Sequence, residues 1–311
     1  MLFYDNCKMQ KQFSTVELSE ALDKAAELSM LTPFSRFGAH PLRYLNLQFN
    51  RHFYYRFTGK RAFFKTKLLN ACPFRVALPS GADIYLLGIK SHDSEIRLSR
   101  HILNHVPRGT NFLDVGAHFG YYSVLTALKN KDLGTIYALE PGNEMFEVLK
   151  MNCAPFSQIK LFNLAASDKN GTATFFDYPT RYNEYSSLKP NPAAKGLKPN
   201  EVKAKTVRLD DFFEENNFKP DYIKIDVEGG EFDAIRGMEN YLRNESPVLI
   251  IEYFHRSSDD IYQKAVDFML ALGYKIHVIL EDGALYEKKE LSRHFEARGD
   301  TSDNIVFLKT K

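Results

Sequence analysis

The sequence predicts an α/β fold, a mostly parallel sheet with helices on both faces, entered through a helical N-terminal extension. Three observations predict it. Short apolar runs alternate with helical periodicity from about residue 74 to the C-terminus, as repeated strand–helix units do. A glycine turn, Asp114-Val-Gly-Ala-His-Phe-Gly120, joins one such strand to the next helix. Residues 275–280 and 304–308 read as a closing antiparallel pair.

The elements follow in order. Ser14-Thr-Val-Glu17 is a capping box, and Leu18, Ala21, Leu22, Ala25 and Leu28 follow at helical spacing until Pro33. Between Glu27 and Asp83 there is no acidic residue, while Arg36, Arg43, Arg51, Arg56, Lys60, Arg61, Lys65, Lys67 and Arg75 fall among many Phe and Tyr. This basic, aromatic region (1–73) is either a helical cap with solvated cations or a surface for phosphate or anionic lipid, hence for peripheral membrane contact. A nucleic-acid partner is disfavoured, because no recognition motif accompanies the charge.

Residues 74–311 form the main domain. Within it, 74–78 and 83–87 read as a hairpin and 95–106 as a helix. Strands are expected at 111–115, 135–139, 159–164, 201–207, 222–227 and 248–252, with helices at 121–129, 143–152 and 261–272. The Pro-, Lys- and Asn-rich stretch 189–200 is a candidate rim or lid, and 181–187 a candidate acceptor-contacting loop.

Bulk properties bound the function. The chain has 311 residues, 44% hydrophobic and 26% charged, with a net charge of +2. That is ordinary globular composition, and too little charge to demand a polyanion. The cysteines, Cys7, Cys72 and Cys153, form no C-x-x-C pair, which disfavours a zinc site or a disulfide scaffold. With no apolar leader at residues 1–12 and no long apolar run, a cytoplasmic protein without a transmembrane segment is expected.

Five segments carry chemistry. Asp114 ends a strand before the D-x-G-x-x-x-G turn, where Gly116 and Gly120 allow close backbone approach to a ligand. This spacing differs from the G-x-G-x-x-G of dinucleotide enzymes, so a nicotinamide oxidoreductase is the weaker reading. Glu140, at the end of the next strand, is placed to accept ribose hydroxyls, with a helix-capping Glu as the structural alternative. Asn163, Ala165 and their neighbours end a third strand, at residues small enough for a flat adenine ring. Lys224, Asp226 and Glu228 alternate along a segment that should be buried, so they need partners or a cleft; Lys224 with Glu228 or Glu252 is the structural pairing. Glu252 and His255 end the following strand. Asp226, Glu228, Glu252 and His255 are thus catalytic candidates, with Asp226 or His255 as proton acceptor. Asp226, Glu252 and His255 would be the ligands of a divalent metal, if one binds.

Together these segments resemble the FkbM family of methyltransferases. The resemblance runs from about Phe74 to the C-terminus. It rests on Leu113-Asp-Val-Gly-Ala-His-Phe-Gly-Tyr-Tyr122, Glu140-Pro141, Ile223-Lys-Ile-Asp-Val-Glu-Gly-Gly-Glu231 and the ending Asn304-Ile-Val-Phe-Leu308. It implies a Rossmann-like class I methyltransferase with a seven-stranded sheet and S-adenosylmethionine as donor. It implies O-methylation, commonly of sugars in glycans, lipids or natural products; a nucleotide-activated sugar would suit the basic region, and an RNA hydroxyl is the remaining alternative. Asp114, Gly116, His118 and Gly120 would surround the methionine part and Glu140 the ribose. Glu95 matches an acidic position before the cofactor loop, and Asp226 and Glu228 would face the reaction centre. Two departures are His118, where the family commonly has Asn, and Gly230, where Ala is usual.

Overall fold

In this computed structural model the described residues are 13–32, 37–38, 40–58, 62–178, 186–190, 196–255 and 261–309. Pro33, residues 181–185 of the 181–187 loop and residues 191–195 of the 189–200 stretch lie outside them.

The N-terminal extension is helical where described. α1 (Thr15–Met30) begins at the expected capping box: the Glu17 N–H donates to Ser14 Oγ, and the Glu17 carboxylate accepts from the Ser14 N–H at 2.8 Å. α2 (Pro41–Phe49) runs through a π-turn (Asn50–Tyr54) into α3 (Tyr55–Thr58). The hairpin differs from expectation. Its strands are β1 (Ala62–Leu68) and β2 (Cys72–Leu78), and 83–87 is not a strand but part of α4 (Ala82–Leu87). Asp83 is the cause: its carboxylate accepts from the Ile84 N–H at 2.7 Å and the Ser91 N–H at 2.9 Å, closing the chain into a turn of helix.

The remaining elements are α5 (Asp93–Asn104), β3 (Phe112–Val115), α6 (Tyr121–Asn130), β4 (Ile136–Leu139), α7 (Asn143–Cys153), β5 (Ile159–Phe162), β6 (Ala165–Ser167), β7 (Gly171–Asp177) and β8 (Asn200–Arg208). They continue with α8 (Leu209–Glu215), β9 (Tyr222–Ile225), α9 (Glu231–Arg236), α10 (Glu239–Asn244), β10 (Val248–Phe254), α11 (Ile261–Ala271), β11 (Lys275–Ile279), β12 (Leu285–Lys288), α12 (Leu291–Arg298) and β13 (Ser302–Leu308). The main sheet has eight strands, not seven, in the order β12-β11-β13-β10-β9-β3-β4-β5. β10, β9, β3, β4 and β5 are parallel; β13 and β12 run against their neighbours, so the sheet is mixed. The added strand is β12, whose short and half-polar sequence, Leu-Tyr-Glu-Lys, carries no apolar alternation. β6, β8 and β7 form a separate sheet, and the strand expected at 159–164 stops at Phe162, two residues short, before the chain enters that sheet at Ala165.

The chain leaves β3 toward β4 on one side and later returns to β9 on the other. β3 is therefore a topological switch point, and the crevice beyond its carboxyl end is where such sheets bind ligands. One face of the sheet buries Leu113, Val115, Ile223, Ile225, Leu249 and Ile251 against α8 to α12. The opposite face begins apolar, with Phe112 and Ile250, and turns charged at its end. Strand alternation brings Asp114, Lys224 and Glu252 to that same face, and Asp114 lies directly opposite Lys224 in register.

Two polar ties hold this arrangement. Arg97 is fully buried and forks onto Asp303 at 3.0 and 3.1 Å, with His294 on the same carboxylate at 2.6 Å, fastening α5 to β13. Asn152 on α7 accepts from the Arg75 N–H at 2.7 Å and donates to Arg75 O at 2.9 Å and to Phe119 O at 2.8 Å, joining β2 to the β3–α6 turn. Asn152→Ala leaves those buried backbone groups without protein partners. It should cost about 2 kcal/mol, read as a lower urea midpoint at unchanged m-value.

Candidate active site

Beyond the carboxyl ends of β3, β4, β9 and β10 lies a cavity of about 510 Å³. Its floor is the β3–α6 turn. Asp114 is 1% exposed; its Oδ2 accepts from Ser123 at 2.6 Å, and its Oδ1 has no protein partner. Burial raises the Asp114 pKa against the pull of Lys224. An unpartnered, buried acceptor at the edge of a cavity is a place for a ligand donor.

The glycines of this turn act differently from expectation. A Cβ on Gly116, where φ is +80°, would stand 1.9 Å from the Asp226 carbonyl oxygen. One on Gly120 would stand 2.6 Å from Leu149 of α7, and Gly120 does not line the cavity. Both positions serve the packing of the protein against itself; Gly116 also lines the cavity, whereas Gly120 lies behind it. His118 takes a left-handed conformation, φ 51°, and its N–H donates to Glu140 Oε2 at 2.9 Å. Asn tolerates this conformation best among residues with a side chain, which accounts for the Asn common at that position in the family the sequence resembles.

Glu140 directly follows β4 and lines the cavity. Its two oxygens accept from the Gly142 and His118 N–H groups, so the helix-capping reading holds in part; each oxygen keeps a further lone pair for a ligand. Burial lifts its pKa to about 7, the two backbone hydrogen bonds opposing the rise. Ala165 lines the cavity, whereas Asn163 does not: its amide donates to the Glu140 and Pro141 carbonyls at 2.8 and 3.1 Å and shapes the turn beneath Glu140.

The opposite wall concentrates charge. β9 ends at Ile225, one residue short of Asp226, and Glu228 sits in the following turn with φ 54°. Lys224 pairs with Asp226 at 2.9 Å, not with Glu228 or Glu252 as the sequence suggested, and its Nζ lies 4.8 Å from the Tyr122 ring centroid. Asp226, Glu228 and Glu252 offer oxygens that all lie within 4.8 Å of one another. His255 is not in that group. Its ring stacks on Phe295 at 4.8 Å, away from the cavity lining, so the expected Asp226–Glu252–His255 ligand set becomes an all-carboxylate set.

Lys90 lines the cavity and is a charged site residue that the sequence did not reveal. It lies 3.2 Å from Glu95 and 3.9 Å from Asp226, in a stretch without motif character. Glu95 also accepts from the Tyr122 hydroxyl. Burial works against the Lys90 charge, but Glu95, Asp226 and Glu252 outweigh it and raise its pKa. The carboxylates then diverge. Burial opposes ionisation of Asp226, yet Lys224 and Lys90 hold its pKa down at about 2. Glu252 moves the other way: burial, then Asp226 and Glu95, push it well above the usual carboxylate range. Neighbouring carboxylates pushed apart in this way divide into a fixed anion and a proton carrier.

The sequence model of the methyltransferase FkbM domain matches residues 114–276. The chain belongs to the FkbM methyltransferase family. Its class I architecture is as the resemblance implied, on a mixed sheet of eight strands. The hexuronic acid methyltransferase AglP of Haloferax volcanii is 28% identical over 140 residues, covering 44% of this chain and 53% of AglP. The chain thus aligns with about half the length of that curated relative. Among solved structures, an FkbM methyltransferase from Methylobacillus flagellatus is 15% identical at a TM-score of 0.45, covering 74% of this chain and 52% of that one. Fibrillarin from Aeropyrum pernix, solved with S-adenosyl-L-methionine, is 11% identical at a TM-score of 0.41 and covers 79% and 93%. The family segment contains Asp114, Glu140, Asp226 and Glu252, whereas Lys90 and Glu95 precede it.

Proposed function

We propose that this FkbM family member transfers a methyl group from S-adenosylmethionine to a sugar hydroxyl. One observation carries the reading: a single cavity joins a nucleoside-type half, Asp114 and Glu140, to an acid–base half, Asp226 and Glu252. The residues fit the donor. The unpartnered Asp114 Oδ1 suits an ammonium group, the free lone pairs of Glu140 suit ribose hydroxyls, and Ala165 leaves room for a flat base. S-adenosylmethionine, when bound, supplies an electrophilic methyl on a sulfonium.

The protein positions and deprotonates the acceptor. A hydroxyl is a weak nucleophile, and Glu252, with its raised pKa, is suited to take its proton during the displacement. Asp226, held ionised by Lys224 and Lys90, fixes the electrostatics beside it and accepts a hydrogen bond from the acceptor without taking its proton. The same oxygens, with Glu228, would hold a divalent cation through hard ligands. Lys224 and Lys90 already pair with Asp226, so the site has cations of its own and a chelator should leave turnover unchanged. The likeness to a hexuronic acid methyltransferase supports a sugar acceptor, and a carboxylated sugar is the first to try.

Glu140 makes donor binding pH-dependent. Its folded pKa of about 7 leaves it largely protonated below that pH. Ribose hydroxyls donate to the ionised form, so affinity should rise as pH increases through about 7 and then level off. Calorimetry across this range checks it, and Glu140→Gln should bind more weakly with a flat profile. The acceptor is tested by S-adenosylhomocysteine release with hexuronic acids, neutral hexoses and nucleotide sugars, each with and without chelator. Release with none of these, beside release with RNA or a small nitrogen base, would overturn the sugar reading.

A further inference from the structure

The N-terminal extension exposes an apolar stripe that the methyl-transfer chemistry does not use. Along α2, the π-turn and α3, Leu42, Leu45, Phe49, Phe53 and Phe57 recur every three or four residues, on one side of a continuous helical segment. All five face solvent: Leu42 and Phe57 are 81% and 80% exposed, and the other three more than half. Phe49 and Phe53 stack at 5.8 Å, which shows that the π-turn keeps them on the same side. The other side is anchored. Arg43 donates to Thr66 Oγ1 and to Tyr85 O, Asn46 donates to the Tyr85 hydroxyl at 2.9 Å, and Leu47 is buried. The stripe is therefore displayed on a fixed element.

Its charge environment names the occupant. No acidic residue occurs from Leu28 to Ala82, while Lys65 and Lys67 are exposed on β1 and Arg51, Arg56, Lys60 and Arg61 lie within or just beyond the helical segment in sequence. A helix with Leu and Phe on one face, set in a purely cationic stretch, has the chemistry of an interfacial helix on an anionic bilayer. A protein partner of mixed charge would not need a stretch of this length without a single carboxylate. We propose that the Leu42–Phe57 stripe seats this protein on an anionic lipid surface.

The position matters for the active site. Tyr85, the anchor of α2, belongs to α4, and Asp83 and Ile84 of that same helix line the cavity. Docking would therefore hold one wall of the cavity through a single intervening helix.

The test is co-sedimentation of the full-length protein with vesicles of equimolar phosphatidylcholine and phosphatidylglycerol, against vesicles of phosphatidylcholine alone. Binding is expected to the anionic vesicles only and to weaken with added salt. The double variant Phe49→Ser, Phe53→Ser removes two exposed rings that support no core, and should bind about tenfold or more weakly. Its activity on a soluble acceptor should match wild type, so failure of the docking proposal and failure of the proposed function are distinguishable. Absence of wild-type binding at low salt, or equal binding by the double variant, overturns the proposal. So does a wild-type dimer in sedimentation equilibrium that the double variant dissolves while neither protein binds vesicles; the stripe would then cover a second copy of the chain.

Discussion

Glu252→Gln should lower kcat by about 10²–10⁴-fold while leaving the affinity for S-adenosylmethionine unchanged. The substitution keeps shape and most hydrogen-bonding capacity, and removes only the ability to take a proton. The expectation rests on the contrast between two neighbouring carboxylates. Asp226 has Lys224 at 2.9 Å and Lys90 at 3.9 Å, and with a pKa of about 2 it has little tendency to accept a proton at neutral pH. Glu252 is half-buried beside that fixed negative charge, and its pKa lies well above the usual range. The sign for pH follows. Turnover should rise as pH increases through the raised pKa of Glu252, because only the ionised form is a base, and this limb should vanish in Glu252→Gln. Asp226→Asn removes one of the charges that raise the Glu252 pKa, so the surviving limb should move to lower pH. Unaltered kcat in Glu252→Gln would exclude Glu252 as the base.

Gly116→Ala should be the most damaging glycine-to-alanine change among the described residues, costing about 4 kcal/mol or more. Two independent penalties combine. The backbone sits at φ +80°, which side chains rarely adopt, and the new Cβ would meet the Asp226 carbonyl oxygen at 1.9 Å. That atom is main chain and cannot rotate away. Relief requires β3 and β9 to separate at their carboxyl ends, where Asp226 N–H donates to Val115 O at 3.0 Å. Urea unfolding should show the loss of stability. In any folded fraction, donor binding and turnover should fall together, because Asp114 and Asp226 move relative to one another. Gly230→Ala is the control: its Cβ would come no nearer than 3.2 Å to any of the three Val227 atoms around it, that being the mobile Cγ2, and φ there is negative, so a small effect is expected. A Gly116→Ala protein as stable as wild type would refute this account.

Much of the site was legible because it lies at the ends of buried strands. Phe112-Leu-Asp and Ile136-Tyr-Ala-Leu could only be strands of a covered sheet, so the polar residues ending them had to face the crevice. Lys224 was legible as a charge in need of a partner, but its partner was not, since pairing within β9 and its following turn depends on where the strand stops. The helix at Ala82–Leu87 was not legible. Ile-Tyr-Leu-Leu has strand propensity, and the decisive event is a carboxylate turning back on its own backbone. The true partner of β2 lay upstream, across a turn in which Leu69 and Asn70 adopt positive φ without a glycine to signal it. His255 stood at the end of the right strand, but stacking on Phe295, a contact made across forty residues of sequence, turned it elsewhere. Lys90 had no local signature, because its role comes from acids on three other segments.

The cavity wall is drawn from inside and outside the segment that the family model matches. Asp83, Lys90 and Glu95 precede that segment, and Ser302 follows it. A chimera that kept 114–276 and exchanged the flanks would therefore retain Asp114, Glu140, Lys224, Asp226 and Glu252, but would replace Lys90, the more distant of the two cations that hold Asp226 ionised. In such a hybrid the methyl-donor half is inherited intact while the acid–base half is retuned. Swapping flanks between family members is thus a route to shifting the pH profile and the acceptor without touching the donor loop.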